Sequence, residues 1–173
     1  MTEVVTARDP EVQALLDKQA IREVMVRYFR GFDRADAALI ASAYHPDAVD
    51  EHAGRTFSGS EVGQGVLEVM RELHVVMGIH HITNQTIHLD GDRAGSEMYS
   101  FGYMLTSNEG EENTMLSSGR YLDTLERRNG EWKIAKRSVV TELVGNVSGL
   151  MWLGRRLSYD ANDATDPSYA VLG

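Results

Sequence analysis

Cysteine is absent from the 173 residues, which excludes disulfides, thiolate nucleophiles and zinc or iron–sulfur sites built on cysteine. Basic residues are scarce as well, 17 Lys and Arg against 26 Asp and Glu, for a net charge of -9. Nucleic acid and anionic membrane surfaces attract clusters of the opposite sign, so neither is expected as a partner. No apolar run is long enough to span a bilayer, and Met1–Pro10 lacks the apolar stretch of a signal peptide. Residues 1–10 read as a disordered start, and the protein as cytoplasmic. Chemical motifs are missing too. The chain has no Gly-x-Ser-x-Gly elbow, no glycine-rich phosphate loop and no dinucleotide fingerprint, which sets serine acyl transfer and nucleotide-dependent chemistry aside.

What is there is ordinary in bulk: 42% hydrophobic and 25% charged residues, enough for one domain with a real core. From Glu11, apolar residues recur at three- and four-residue steps through Val12, Leu15, Leu16, Ile21, Val24, Met25, Tyr28 and Phe32. The spacing predicts an amphipathic helix of about six turns. Gly31 is its expected stop, and Asp36 the cap of a short second helix over Ala37–Tyr44, ended by Pro46. Ala48–His52 reads as a short strand, with a return at Thr56-Phe57. Ser58-x-x-Glu61 has the form of a capping box before a third helix carrying Val62, Val66, Val69, Met70 and Leu73. Beyond Gly78 the period becomes that of strands: His80–Leu89, Arg93–Leu105, Asn113–Arg128 and Glu131–Val144, with Asn129-Gly130 the clearest hairpin turn. Three helices followed by strands predict an α+β fold, helices packed on one face of a bent antiparallel sheet. Residues 11–145 form that domain. Residues 146–173 read as a C-terminal extension whose apolar Leu150–Leu157 stretch covers the pocket or a subunit contact, with a disordered tail after Asp160.

Polar residues interrupt this apolar pattern at two places. Asp33 closes the first helix beside Phe29 and Phe32, and His80-His81 opens the first strand of the sheet. Asp33 is either a cap between helices or a partly buried carboxylate, and a buried carboxylate needs a partner. An aspartate accepting from one ring nitrogen of a histidine fixes its tautomer and makes the other a general base. His80 and His81 point to opposite faces of a strand, so at most one enters a given pocket. Tyr28 is a core residue or an acid at the rim. Five residues turn a helix by about 140°, so Tyr28 and Asp33 converge only if the helix breaks near Gly31. His45, Asp47, Asp50, Glu51 and His52 lack the His-x₃-His spacing of metal ligands. No metal and no cofactor is expected, while Asp50 and His52 share a strand face that lines a cavity. Phe29, Phe32 and Met25 make that cavity a site for a hydrophobic ring compound.

Several stretches carry a resemblance: Ala20-Ile21-Arg22, Arg27-Tyr28-Phe29-Arg30-Gly31-Phe32-Asp33, His45-Pro46-Asp47-Ala48, Ile79-His80-His81-Ile82-Thr83-Asn84, Asp90-Gly91-Asp92-Arg93-Ala94 and Gly130-Glu131-Trp132-Lys133-Ile134-Ala135-Lys136-Arg137. Together they resemble the SnoaL-like family of the nuclear-transport-factor-2-like superfamily, over roughly residues 12 to 145. The resemblance implies a cone-shaped α+β barrel with a deep apolar pocket. Within the family the chain is most similar to the branch of scytalone dehydratase, bile acid 7α-dehydratase and hexachlorocyclohexane dehydrochlorinase. That branch implies cofactor-free elimination by a His–Asp pair. Tyr28 and Asp33 match the Tyr-x₄-Asp spacing of the bile acid enzyme, and Asp33 also matches the dehydrochlorinase aspartate. A histidine three residues before Thr-Asn selects His80 over His81, and Arg137 matches an arginine at the dehydrochlorinase pocket. The second catalytic histidine of scytalone dehydratase has no counterpart on Asn113–Arg128. The expected activity is thus a lyase with His80 and Asp33 as base and Tyr28 as acid. Phe29, Phe32, Asp50, His52, His81 and Arg137 are expected to bind a small cyclic, polyketide- or steroid-like substrate, in a homodimer or homotrimer. An isomerase, a polyketide cyclase and a non-catalytic ligand-binding domain are the alternatives on the same scaffold.

Overall fold

The computed structural model describes residues 9–52, 54–154, 156–159 and 166–172. Helix α1 (Pro10–Asp33) starts at a cap the sequence reading passed over: Asp9 accepts from the Glu11 amide at 2.8 Å, with Pro10 in the first turn. Residues 1–8 lie outside the described part, so the expected disorder there meets structure only at Asp9 and Pro10. The helix runs through Gly31 to Asp33. Gly31 does not stop it; a Cβ there would come within 2.7 Å of the Ile40 amide nitrogen, so the glycine lets α2 (Ala37–Ser42) pack against α1. Asp36 caps α2 as expected, accepting from the Leu39 amide at 2.9 Å.

Strand β1 (Tyr44–His52) opens four residues earlier than the sequence pattern suggests. Pro46 falls where the register with β6 breaks, between Tyr44 and Val49, the kind of position at which a residue without an N–H is tolerated in a sheet. β2 (Arg55–Ser58) returns against β1. In α3 (Val62–Glu72) the Ser58 hydroxyl meets the Glu61 carboxylate at 2.5 Å, yet no side chain caps the helix. Its stripe of Val62, Val66, Leu67 and Met70 is buried. Four long strands follow: β3 (Val75–Asp90), β4 (Arg93–Asn108), β5 (Glu111–Arg128) and β6 (Glu131–Val147). Asn129 and Gly130 both take positive φ, 54° and 83°, as a tight two-residue hairpin requires.

The α+β arrangement is therefore as expected, with helices against a six-stranded sheet of order β2-β1-β6-β5-β4-β3. Its ladders are antiparallel except β1–β6, which is parallel. The sheet is mixed because β1 enters from the helices and reaches β6 only after a long excursion through α3 and four strands. No ladder joins β2 to β3 among the described residues, so the cone stays open. The core lies between the helices and the concave face: Ile21, Met25, Tyr28, Ile40, Met70, Met98, Leu125 and Ile134 are all but sealed from solvent.

Beyond β6 the chain crosses the outside of β3. The Leu157 amide donates to Val76 O at 2.8 Å, and the Tyr159 hydroxyl to Val75 O at 2.5 Å. Residues 166–172 are not disordered: α4 (Pro167–Leu172) sets Tyr169 under Arg30, 4.5 Å from ring centroid to guanidinium, and its hydroxyl 3.0 Å from Asp36. The expected disorder at 160–165 lies outside the described residues. No described helix is long and apolar enough to cross a membrane.

Candidate active site

The last turn of α1 and the start of β3 bring Asp33 and His80 together. Asp33 Oδ1 lies 2.6 Å from His80 Nδ1, and Oδ2 accepts from the His80 backbone amide at 3.0 Å. An ionised carboxylate only accepts, so in the neutral imidazole Nδ1 carries the hydrogen and Nε2 keeps its lone pair. The imidazole is fixed on other sides as well. Phe32 stands edge-on to it at 4.4 Å, and Phe29 lies at 5.2 Å. Across the ladder, Gly102 pairs with His80, and a Cβ there would come within 2.9 Å of Cδ2 and 3.2 Å of Nε2. The side chains of His80 and Asp33 retain 6% and 15% exposure: sheltered, but reachable.

His80 faces a polar compartment of about 90 Å³ on the concave side of the sheet, shared with His52, Ser100, Ser117, Tyr121 and Thr141. It adjoins a larger compartment of about 270 Å³ under α3, walled by Phe57, Val66, Met70, Met115 and Val144. Phe32, His52, Met104, Ser117 and Thr141 line both, so the two form one cavity with a polar end and an apolar end. No described residue after Val144 lines either compartment; the C-terminal segment borders a separate hollow with Met77 and Thr114.

The other expected site residues divide. Phe32 and His52 line the cavity. Phe29 backs His80 and faces an outer groove with Arg30 and Asp33. His81 is exposed on the opposite face, stacked on Phe101 at 4.7 Å, which removes it from the cavity as strand alternation dictates. Arg137 and Asp50 are fully buried and line neither compartment. Arg137 holds Asp123 through two hydrogen bonds of 2.7 and 2.8 Å and donates to the Tyr44 hydroxyl at 3.0 Å; Tyr44 in turn donates to Asp50 at 2.6 Å. Neither Arg137 nor Asp50 reaches the wall of the cavity. Tyr28 is also fully buried. Because α1 does not break, Tyr28 and Asp33 do not converge: the Tyr28 hydroxyl meets His52 Nδ1 at 3.4 Å instead.

Burial sets the protonation states here. It pushes Tyr28 and Tyr44 far above the usual phenol range, with Arg137 opposing, and Tyr121 up to about 12. All three are neutral phenols at physiological pH. Desolvation first, then the neighbouring Arg137 and His80, bring His52 down to about 4, so it too is neutral. Burial raises the Asp50 carboxyl, against the pull of Arg137. Among the described residues no cluster of His, Asp and Glu is arranged to hold a metal.

Sequence reasoning missed Tyr121, Asp123, Tyr44 and Gly102. Tyr121, Asp123 and Leu125 alternate on the buried face of β5, a signal present in the sequence but shared by any half-buried strand. Gly102 inside a strand pattern was the sharper sign, since such a glycine marks a close approach.

The SnoaL-like domain family matches residues 13–138, about three quarters of the chain, with Asp33, His52 and His80 inside the match and the cavity-lining Val139, Thr141 and Val144 just beyond it. The chain belongs to the SnoaL-like family. No curated protein matches its sequence. Among solved structures, this SnoaL-like chain is similar to a hexachlorocyclohexane dehydrochlorinase, LinA type 2. The two share 18% identity and a TM-score of 0.74 over 83% of this chain and 97% of that one. It is also similar to a protein described as a putative scytalone dehydratase from Novosphingobium aromaticivorans: 17% identity, TM-score 0.67, 85% and 95% covered. A third is Rv3472 from Mycobacterium tuberculosis, a protein of unknown function solved as a point variant, with 23% identity, TM-score 0.63, and 79% and 78% covered. At these identities the likeness is one of fold.

Proposed function

We propose that this SnoaL-like protein is a cofactor-independent lyase that eliminates water, or a comparable group, from a small hydrophobic cyclic substrate. The reading is carried by one observation: a cavity-lining imidazole, His80, bonded to Asp33 at 2.6 Å through Nδ1. Asp33 fixes the ring so that Nε2 is the base that removes a carbon-bound proton. The apolar compartment under α3 favours a hydrocarbon body, and elimination is the chemistry named for the dehydrochlorinase and dehydratase neighbours. Tyr28, expected as the acid, reaches the cavity only through His52, so any part it has on the leaving side passes through that imidazole.

The test is a panel of cyclic β-hydroxy and β-chloro ketones incubated with the protein in deuterium oxide and followed by proton NMR. The expected result is alkene formation, slowed more than tenfold by Asp33→Asn in a variant whose circular dichroism is native, in keeping with the roughly 10²–10⁴-fold worth of a positioned base. Unchanged turnover in Asp33→Asn sinks the base assignment. Deuterium uptake without loss of a group would make the protein an isomerase or cyclase, and ligand binding with neither outcome would make it a carrier.

A further inference from the structure

His52 is the second imidazole of the cavity, and proton abstraction by His80 leaves it without a part. Its Nδ1 faces the Tyr28 hydroxyl at 3.4 Å, and its ring stands edge-on to Tyr121 at 5.9 Å. The Arg137 guanidinium lies over the Tyr28 ring, 4.3 Å from its centroid, and is itself held by Asp123. A guanidinium donates and never accepts. Of the two polar groups beside the Tyr28 hydroxyl, Arg137 can only donate to its oxygen and His52 Nδ1 can accept from it, so the pairing assigns the phenol hydrogen to Nδ1 and the imidazole's own hydrogen to Nε2. That atom lies on the ring edge away from Nδ1, and His52 borders both compartments. The titratable and charged groups facing His52 are Tyr28, Tyr121, His80 and Arg137. Together with burial they keep the ring neutral.

We propose that His52 is a second catalytic imidazole, a neutral Nε2–H donor that receives the oxygen of an enolisable carbonyl substrate while His80 removes the proton from the adjacent carbon. Tyr28 is its positioning residue, with Arg137 beneath. The inference rests on the base role of His80 and narrows the substrate to a β-hydroxy carbonyl compound with a hydrocarbon body. Its polar head sits among Ser100, Ser117 and Thr141, and its body lies on Val66 and Met70. In the first step the C–H electron pair forms the enolate double bond, the proton goes to His80 Nε2, and the oxyanion is held by His52 Nε2–H. In the second, the enolate pair returns to expel the β-hydroxyl, which takes the proton from His80 and leaves as water. A double bond conjugated to the carbonyl remains, and both imidazoles are back in their starting forms. A neutral donor suits this task because it stabilises the oxyanion without handing over a proton that would then have to be recovered.

The probe is para-nitrophenol, whose phenolate oxygen imitates the enolate oxygen and whose ionisation is read from its visible absorbance. The native protein is expected to bind it with ionisation shifted to lower pH than in free solution. His52→Leu should weaken phenolate binding about 10–100-fold, the worth of a hydrogen bond to a charged group, and His52→Gln, which keeps an N–H donor, should weaken it less. The shift should survive His80→Gln, which assigns it to His52. Nitrogen-15 NMR of the native protein should place the His52 hydrogen on Nε2, and Tyr28→Phe should mix the two tautomers, an effect that lost packing alone does not produce. An unshifted phenol, His52→Leu binding phenolate like the native protein, a shift lost in His80→Gln, or a hydrogen found on Nδ1 each overturns the proposal. Phenolate reports the donor, and turnover in Asp33→Asn reports the base, so failure of one is told apart from failure of the other.

Discussion

At the scale of single residues the site depends on what is small or neutral as much as on what is charged. Gly102 is the clearest case, because its missing side chain is the space in which His80 stands. Gly102→Ala adds no left-handed backbone strain, but its Cβ would crowd the His80 ring at 2.9 Å and the Ile79 carbonyl at 3.1 Å and should push the imidazole off Asp33. Turnover on a β-hydroxy ketone is expected to fall at least about tenfold, the scale on which a small misplacement acts, with stability in urea unfolding lowered by no more than the roughly 1–3 kcal/mol that overpacking a buried site costs. Native turnover in that variant would mean the ring has room to spare. His52 gives a second prediction, in stability. Its pKa falls from 6.5 to about 4 on folding. Between those values the unfolded chain takes up a proton that the folded chain refuses, so stability rises with pH across the window and is lost as pH falls from about 6.5 toward 4. The loss attributable to His52 is at most about 3 kcal/mol. Urea unfolding at pH 7 and pH 4.5 should therefore show a smaller acid loss for His52→Gln than for the native protein, and equal losses would place His52 in water.

At the scale of elements, the long periodic segments were legible and the junctions were not. α1, α3 and the four long strands follow from spacing alone, because each buries one continuous face. Gly31 was misjudged because a glycine required by a neighbouring helix looks the same in sequence as one that ends its own. The start of β1 was hidden by Pro46, which reads as a breaker until its place at a register shift is seen. The Asp33–His80 pair was legible, since each residue interrupts an apolar pattern. The roles of Arg137 and Asp50 were not, because whether a charge on a strand faces a cavity or another strand's charge depends on register: β1 and β6 pair Asp50 with Arg137, and β5 and β6 pair Asp123 with Arg137. That register has an energetic consequence. Asp123→Ala leaves the fully buried guanidinium without its bidentate partner and should cost about 3–5 kcal/mol in urea unfolding. Asp123→Leu combined with Arg137→Met should recover most of that loss, because an apolar pair of similar volume is often as stable as a buried ion pair. A double variant no better than the single one would show that the tyrosines above, not the ion pair, hold the strands together.

At the scale of the molecule, the cavity is open at one end and the surface beside that opening is apolar. Val144 borders the apolar compartment and is 57% exposed, with Leu143 beside it. Leu150, Met151 and Leu153 carry the same character onto the segment after β6, with Met151 and Leu153 more than four-fifths exposed. Scattered apolar residues on a surface need no explanation, but a cluster of large exposed ones following the strand that borders the cavity does. The expected homo-oligomer accounts for it if a second copy covers this strip, which would dry the apolar compartment without placing any residue near His80. Sedimentation at micromolar concentration should then give a dimer or trimer, and Met151→Glu with Leu153→Glu should shift it to monomer while leaving the Asp33–His80 geometry and the circular dichroism unchanged. Under the same conditions the monomeric variant should bind the hydrophobic end of a substrate more weakly, seen as a raised KM with kcat little altered. A native protein that sediments as a monomer, or a charged strip that leaves assembly intact, would assign these side chains to something other than self-association.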